Sequence, residues 1–291
     1  MSLKRRAVKG VQWTTASTIV NVSTQLAMIA ILARILSPED FGLVGMVMIV
    51  IGFAQMFSDM GMSAAIIHYQ EIEAPVLSSL YWVNIISGMI IFSILISITP
   101  LVVHFFDEPL LKNLYLLSSF NFLILPIGQQ FQTLMEKELR FNTIGKIEIL
   151  SVSVSRTIAV VLAFLGVGVF SIVWGRLINT FIRSILLLIN GLKLHRPVLH
   201  FSFAEVKKFL SFGMYKMAQL TLNYFGSRFD QILIGKFLGA TYLGYYTLAF
   251  ELVLQPLKRI NPIINRVFFP VYARLQKENE KLREIFGRAL K

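Results

Sequence analysis

Residues 32–70 read LARILSPEDFGLVGMVMIVIGFAQMFSDMGMSAAIIHYQ, and their reading decides the fold. An apolar run ends at Leu36. A second apolar run starts at Phe41 and continues to Ile67, broken in charge only by Asp59. Between them, Ser37-Pro38-Glu39-Asp40 carries the chemistry of a helix start. Ser37 can cap the helix, Pro38 fits its first turn, and Glu39 and Asp40 sit at its positive dipole end. Neither run alternates polar and apolar with a period of two, which argues against an outer-membrane barrel. A membrane-crossing helix needs about 20 mostly apolar residues. The stretch therefore predicts two crossing helices joined by a tight outer turn.

The same rule applied outward gives eight spans, roughly 10–36, 40–67, 76–105, 110–134, 145–166, 168–192, 206–237 and 241–270. The turn chemistry agrees: Glu73-Ala74-Pro75 opens the third, Asp107-Glu108-Pro109 the fourth, and Gly166-Val167-Gly168 joins the fifth to the sixth. The composition fits. Of 291 residues, 55% are hydrophobic and 15% charged, against about 25% charged in a soluble domain. The fold class is an all-α polytopic membrane protein. The basic start, MSLKRRAVKG, leads into an apolar segment too long for a signal peptide and without a small-residue cleavage site, so it is read as part of an uncleaved first span.

The chain has no cysteine and four scattered histidines, so neither a disulfide framework nor a metal site is expected. No nucleophile-and-base set or cofactor motif is present either, and the expectation is a protein that is not an enzyme and has no cofactor. A net charge of +12 raises nucleic acid as a partner, but the basic residues punctuate apolar runs instead of forming one soluble basic domain. They mark topology instead. With the N-terminus inside, inner segments hold 17 Lys and Arg and outer connections hold 3, the bias of cytoplasmic loops. The remaining 8 lie within spans: Arg156, Arg176, Arg183, Lys216, Arg228, Lys258, Arg259 and Arg266. Each would cost about 2.5–3.5 kcal/mol at the centre of an isolated helix in lipid, so they need an anionic partner, water or substrate.

Residues 33–45, ARILSPEDFGLVG, align with 235–247, GKFLGATYLGYYT, at an offset of 202. Leu36 meets Leu238, Gly42 meets Gly244, and Arg34 meets Lys236. An offset of six spans suggests a parallel repeat in which the seventh span restarts the pattern of the first. The domains are then a six-helix lobe over 1–200, the first two helices of a second lobe over 201–270, and a basic amphipathic cytoplasmic segment over 271–291. A second lobe of two spans implies a fragment of a longer protein.

Polar residues fall on helical stripes: Thr14, Ser17, Asn21 and Gln25 on span 1; Ser151, Ser155 and Arg156 on span 5; Arg176, Asn179 and Arg183 on span 6. Span 7 carries Lys216, Gln219, Asn223, Ser227 and Asp230; span 8 carries Glu251, Gln255, Lys258, Pro262 and Asn265. Such residues can simply glue helices together. Long, partly cationic stripes on four helices can instead converge on a water-filled cavity, where charge and bent backbone are tolerated. At the repeat offset Lys258 falls on Met56 and Arg259 on Phe57, so the same helix can be built without basic charge. Within the spans only Asp59, Asp230 and Glu251 are clearly acidic; they are read as structural or ion-pair residues. A net positive cavity suits an anion, phosphate above all, because Arg holds it bidentately.

The turn Leu36, Pro38, Asp40, Phe41, Gly42 and the Asp59-x-Gly61 that follows resemble the polysaccharide transporter branch of the multidrug/oligosaccharidyl-lipid/polysaccharide exporter superfamily. The likeness is to teichuronic acid, colanic acid and O-antigen exporters and covers essentially the whole chain. It implies a flippase of 12 to 14 spans in the bacterial inner membrane, N-terminus cytoplasmic. Such a protein carries undecaprenyl-pyrophosphate-linked oligosaccharide to the outer leaflet by alternating access between two lobes. On that reading Arg228, Lys258, Arg259, Arg176 and Arg183 meet the pyrophosphate. Asn21, Gln25, Gln219, Asn223 and Gln255 meet sugar hydroxyls. The partners are the lipid-linked oligosaccharide, membrane lipid, a polysaccharide polymerase and glycosyltransferases, with no nucleic acid. Two other readings stay open: a multidrug antiporter of the same superfamily, which would want membrane carboxylates, and a non-transporting scaffold of a polysaccharide synthesis complex.

Overall fold

The computed structural model of the chain describes residues 3–69 and 72–253, with side chains at all of these except 3–11, 64, 203–205, 208, 210–220 and 222. Every regular element among them is α-helical: α1 (Leu3–Ile35), α2 (Pro38–Gln55), α3 (Met62–His68), α4 (Ala74–Phe106), α5 (Leu111–Ser119), α6 (Asn121–Lys137), α7 (Phe141–Phe164), α8 (Phe170–Gly191) and α9 (Phe203–Phe237). A further helix, α10, runs from 239 to 253. The chain forms two compact units, Met1–Thr247 and Leu248–Lys291. Of the second, only 248–253 is described.

Six helical segments are long and apolar enough to cross a membrane among the described residues: Gln12–Ile35, Pro38–Gln55, Ala74–Phe106, Leu111–Lys137, Phe141–Phe164 and Phe170–Gly191. They correspond to the first six expected spans. The seventh is present as α9, 35 residues long and richer in polar and charged residues. Most of the eighth, from 254, lies outside the described residues.

The turn that opened the sequence reading forms as its chemistry dictates. The Ser37 hydroxyl accepts from the Asp40 backbone N–H, and the Asp40 carboxylate accepts from the Ser37 backbone N–H at 2.9 Å. Two otherwise orphaned helix-start donors are thus satisfied reciprocally.

The second span departs from the single helix expected over 40–67. It stops at Gln55 and resumes at Met62. Met60 and Gly61 adopt φ of 46° and 71°, left-handed values that no helix continues through. The Asp59 carboxylate then accepts from the Ser63 backbone N–H and from its hydroxyl at 2.6 Å, capping the restarted helix. The fourth span is likewise two helices, α5 and α6, which abut at Phe120. Pro126 sits one turn into α6 and lacks the N–H that would bond the Phe122 carbonyl.

α1 packs chiefly on α7, α7 on α8, α8 on α6 and α6 on α4. The core fills where α3, α4, α6, α7, α8 and α9 meet: Met62, Ile66, Leu80, Phe131, Met135, Ile147, Leu187 and Val206 are all buried there. α2 packs on α5 and α9. Tyr224 of α9 donates its hydroxyl proton to the Ile49 carbonyl at 2.7 Å.

The two stretches aligned at an offset of 202 touch one another. A Cβ built on Gly42 would stand 1.7 Å from the Ala240 carbonyl oxygen, and one built on Gly244 would stand 1.7 Å from the Pro38 carbonyl oxygen. Pro38 and Ala240 are themselves 202 residues apart, as are Gly42 and Gly244. The contact is reciprocal in the repeat register, and only a residue without a side chain fits at either glycine.

Candidate functional site: a basic pocket among three helices

A cavity of about 230 Å³ lies between α1, α7 and α8. Its polar lining is Gln25 from α1, Ser155 and Arg156 from α7, and Arg176 and Asn179 from α8. Arg156 stands eight residues from the α7 end and Arg176 six from the α8 start. At 1.5 Å per residue both lie roughly 9–12 Å in from the α7–α8 hairpin. That depth is within the apolar span, where charge is costly unless paired, hydrogen-bonded or wet.

Arg156 is held by the face of α1 that faces it. It donates to the Asn21 carbonyl at 2.5 Å, to Asn21 Oδ1 at 2.7 Å and to the Thr24 hydroxyl. Asn21 in turn donates through Nδ2 to Glu148 of α7 at 3.2 Å. Asn21 thus joins the guanidinium to a carboxylate two turns along the same helix. The residues follow from spacing: Asn21 and Thr24 are three apart on α1, and Glu148 and Arg156 eight apart on α7, so each pair shares a helix face.

Arg176 is exposed and reaches Met48 of α2, with Nη1 2.7 Å from the thioether sulfur. It therefore bridges the pocket and α2. Asn179 contributes a buried Oδ1 atom with no hydrogen-bond partner. A buried unpaired acceptor is expensive and suits a donor, water or a hydroxyl, entering the pocket. Two guanidiniums, an amide and an unpaired carbonyl oxygen can together bind an anionic or hydroxyl-rich group.

The expected site residues separate into several places. Gln25 and Arg176 line the pocket, and Asn21 positions Arg156 at its edge. Arg183, two turns from Arg176 on α8, lies outside that lining. It donates to Gln132 of α6 at 2.9 Å, and Gln132 donates to Glu136 at 2.8 Å. Arg228 donates within α9 to Gln231 at 2.6 Å, and Asn223 is exposed. The side chain of Gln219 is not among those described; Gln255, Lys258 and Arg259 lie outside the described residues.

Asp59 holds α3 and α6 together through neutral donors. Besides Ser63, Gln129 Nε2 donates to it at 3.0 Å. Asp230 accepts from the Gln231 backbone N–H at 2.8 Å and from the Tyr246 hydroxyl. These donors to both carboxylates are neutral hydroxyls, amides and backbone N–H groups. Glu251 is half-buried in the second unit.

Arg156 was read from sequence as one of eight charges within spans and as part of the span 5 stripe, but not as a site residue. The signal that marks it was present: it sits beside Ser151 and Ser155 on α7, and span 1 carries a matching polar face. What the sequence lacked was which two stripes face each other.

A family model described as "Polysaccharide biosynthesis protein" matches residues 31–291. The chain is 35% identical over 290 residues to the lipopolysaccharide biosynthesis protein WzxC of Escherichia coli, covering 100% of this chain and 59% of that protein. It is 36% identical over 285 residues to the teichuronic acid biosynthesis protein TuaB of Bacillus subtilis, covering 98% and 59%. It is 25% identical over 288 residues to the succinoglycan biosynthesis transport protein ExoT of Rhizobium meliloti, covering 95% and 56%. The chain thus spans about three-fifths of the length of these relatives. No solved structure matches.

Proposed function

Because the chain belongs to the polysaccharide biosynthesis protein family, with several apolar helices of membrane-crossing length, we propose that the complete protein flips a lipid-linked oligosaccharide across the bacterial inner membrane. The load is an oligosaccharide on undecaprenyl pyrophosphate, moved from inner to outer leaflet, with the N-terminus cytoplasmic. A polymerase and glycosyltransferases act beside it.

The observation that carries this reading is the pocket where Arg156, Arg176, Gln25 and Asn179 meet at membrane depth. Fixed guanidiniums suit a pyrophosphate, since they stay charged and present paired donors. The amide and the unpaired Asn179 oxygen suit sugar hydroxyls. On the same reading Arg183, Arg228, Lys258 and Arg259 also meet the pyrophosphate, and Asn223, Gln219 and Gln255 meet sugar hydroxyls. An antiporter for cationic drugs would want carboxylates in this place, and the pocket lining has none.

Two lobes, 1–200 and the one begun over 201–270, moving against each other would carry the load by alternating access. The reciprocal contact of Gly42 with Ala240 and of Gly244 with Pro38 supports that arrangement. It is what two copies of one turn give when they meet about an internal two-fold axis.

The test uses the full-length protein in cells lacking it. Arg176→Ala should lower surface polymer by about tenfold or more at unchanged protein level, with Arg176→Lys retaining part of the activity, since one charge-assisted hydrogen bond is worth about 1.5–3 kcal/mol. Normal export by Arg176→Ala, by Arg228→Ala and by the double variant would refute the assignment.

A further inference from the structure

Residues 192–202, LKLHRPVLHFS, connect α8 to α9, and their chain is fastened to the flank of α4. Trp82 Nε1 donates to the Val198 carbonyl at 2.9 Å. The Val198 N–H donates to the Ser78 hydroxyl at 3.2 Å, and the Ser202 N–H to the Ser79 hydroxyl at 3.1 Å. The same Ser78 hydroxyl lies 3.2 Å from Nε2 of the buried His195. This connection is built into place.

What it presents outward is apolar. Leu199 is 93% exposed, and Val198 and Phe201 are each 54% exposed. A loop tied down this firmly could have turned such side chains inward; it holds them out. Their depth explains why. α4 is an apolar membrane-crossing helix that starts at Ala74. Ser78 and Trp82 are four and eight residues into it, about 6 and 12 Å along its axis. The loop therefore lies beside the first two turns of a span, at the boundary of headgroups and acyl chains, where interfacial segments bury their apolar side about 5–10 Å. The Trp82 indole is at the level such rings favour.

The charge around it has one sign. Residues 192–208 carry Lys193, Arg196, Lys207 and Lys208 against Glu205 alone, and Lys193, Arg196 and Lys207 are exposed. A basic rim around protruding apolar side chains matches an anionic lipid surface.

We propose that the 192–202 connection is a membrane anchor that inserts Val198, Leu199 and Phe201 into the leaflet and binds anionic phospholipid headgroups through Lys193 and Arg196. It rests on α4 being a span and not on the identity of the transported substrate. The anchor fixes the connection between the two halves to the bilayer surface.

The chain has no cysteine, so Leu199→Cys gives a single labelling point at a position exposed enough to leave the fold intact. The labelled chain is placed in nanodiscs of neutral phosphatidylcholine or of phosphatidylcholine with phosphatidylglycerol. An environment-sensitive fluorophore there should be quenched by lipids brominated on the acyl chain and protected from aqueous iodide, more so with phosphatidylglycerol. Lys193→Gln and Arg196→Gln should each cut the preference for the anionic discs about fivefold. Iodide quenching that dominates in both discs overturns the proposal. So does bromolipid quenching that is equal in the two discs and indifferent to both substitutions. Neither result needs transport, so the proposed function would stand or fall separately.

Discussion

Gly42→Ala should force apart the two turns that meet near the ends of α1 and α9. The added Cβ would lie 1.7 Å from the Ala240 carbonyl oxygen, 2.5 Å from its carbon and 3.0 Å from Cα. All three are backbone atoms, so no side chain can swing away. Ordinary contact begins at 3.4 Å, and the backbones must separate by about 1.7 Å. Overpacking of this kind typically costs about 1–3 kcal/mol. At about 2–4 °C per kcal/mol for a chain of this size, the melting temperature of the detergent-purified protein should fall by about 2–12 °C. Gly244→Ala should act alike, through Pro38. The double variant should cost less than the sum, because one separation relieves both clashes and neighbouring sites couple. Gly226→Ala is the control: a Cβ there meets nothing within 4 Å, and alanine favours a helix by up to about 1 kcal/mol. The assay is loss of the monodisperse gel-filtration peak after heating. A Gly42→Ala protein that melts with the parent, or singles whose costs simply add, would refute the reciprocal contact.

Other outcomes follow from the same geometry. Arg156→Met removes the donors that hold Asn21 and Thr24 and should destabilise the protein by about 1.5–3 kcal/mol, seen in the same heating assay, with faster hydrogen exchange in α1. Asp59→Ala leaves the Ser63 N–H and Gln129 without an acceptor and should cost about 1–2 kcal/mol, whereas Asp59→Asn, which keeps an acceptor oxygen, should cost less. Burial pushes the His195 imidazole below its ordinary value of 6.5, so the folded loop favours the neutral form. Stability from this site is then present above pH 6.5 and lost as pH falls toward the lowered value. The protection of the 192–202 amides, taken relative to their intrinsic exchange rate at each pH, should fall on acidification, and His195→Gln should remove that pH dependence.

The first six spans were legible because each is a local quantity, a run of apolar residues long enough to cross. The caps were legible for the same reason: Ser37 and Asp40 are three residues apart and meet in any helix that starts between them. The break at 56–61 was missed because Asp59-Met60-Gly61 sits in a run whose hydropathy does not change. Only the left-handed backbone at Met60 and Gly61, held by contacts from Asp59 to Ser63 and Gln129, shows that the helix stops and restarts. Asp59 and Asp230 were read as structural or ion-pair residues; which hydroxyls and amides they accept from was not legible, since sequence shows charge and not its neighbours in space.

By itself, then, the sequence determined the class of the protein, its first six crossings, the helix-start turn at Ser37 and the polar face on each helix. Those depend on one helix's own period and on a bilayer's thickness. Only the tertiary structure decided which faces meet. A stripe fixes an angle about its own axis but not the rotation of one helix against its neighbour, which side-chain packing sets. That rotation brings Gln25, Arg156 and Arg176 to one pocket, sends Arg183 to Gln132 instead, and seats Gly42 against Ala240 and Gly244 against Pro38.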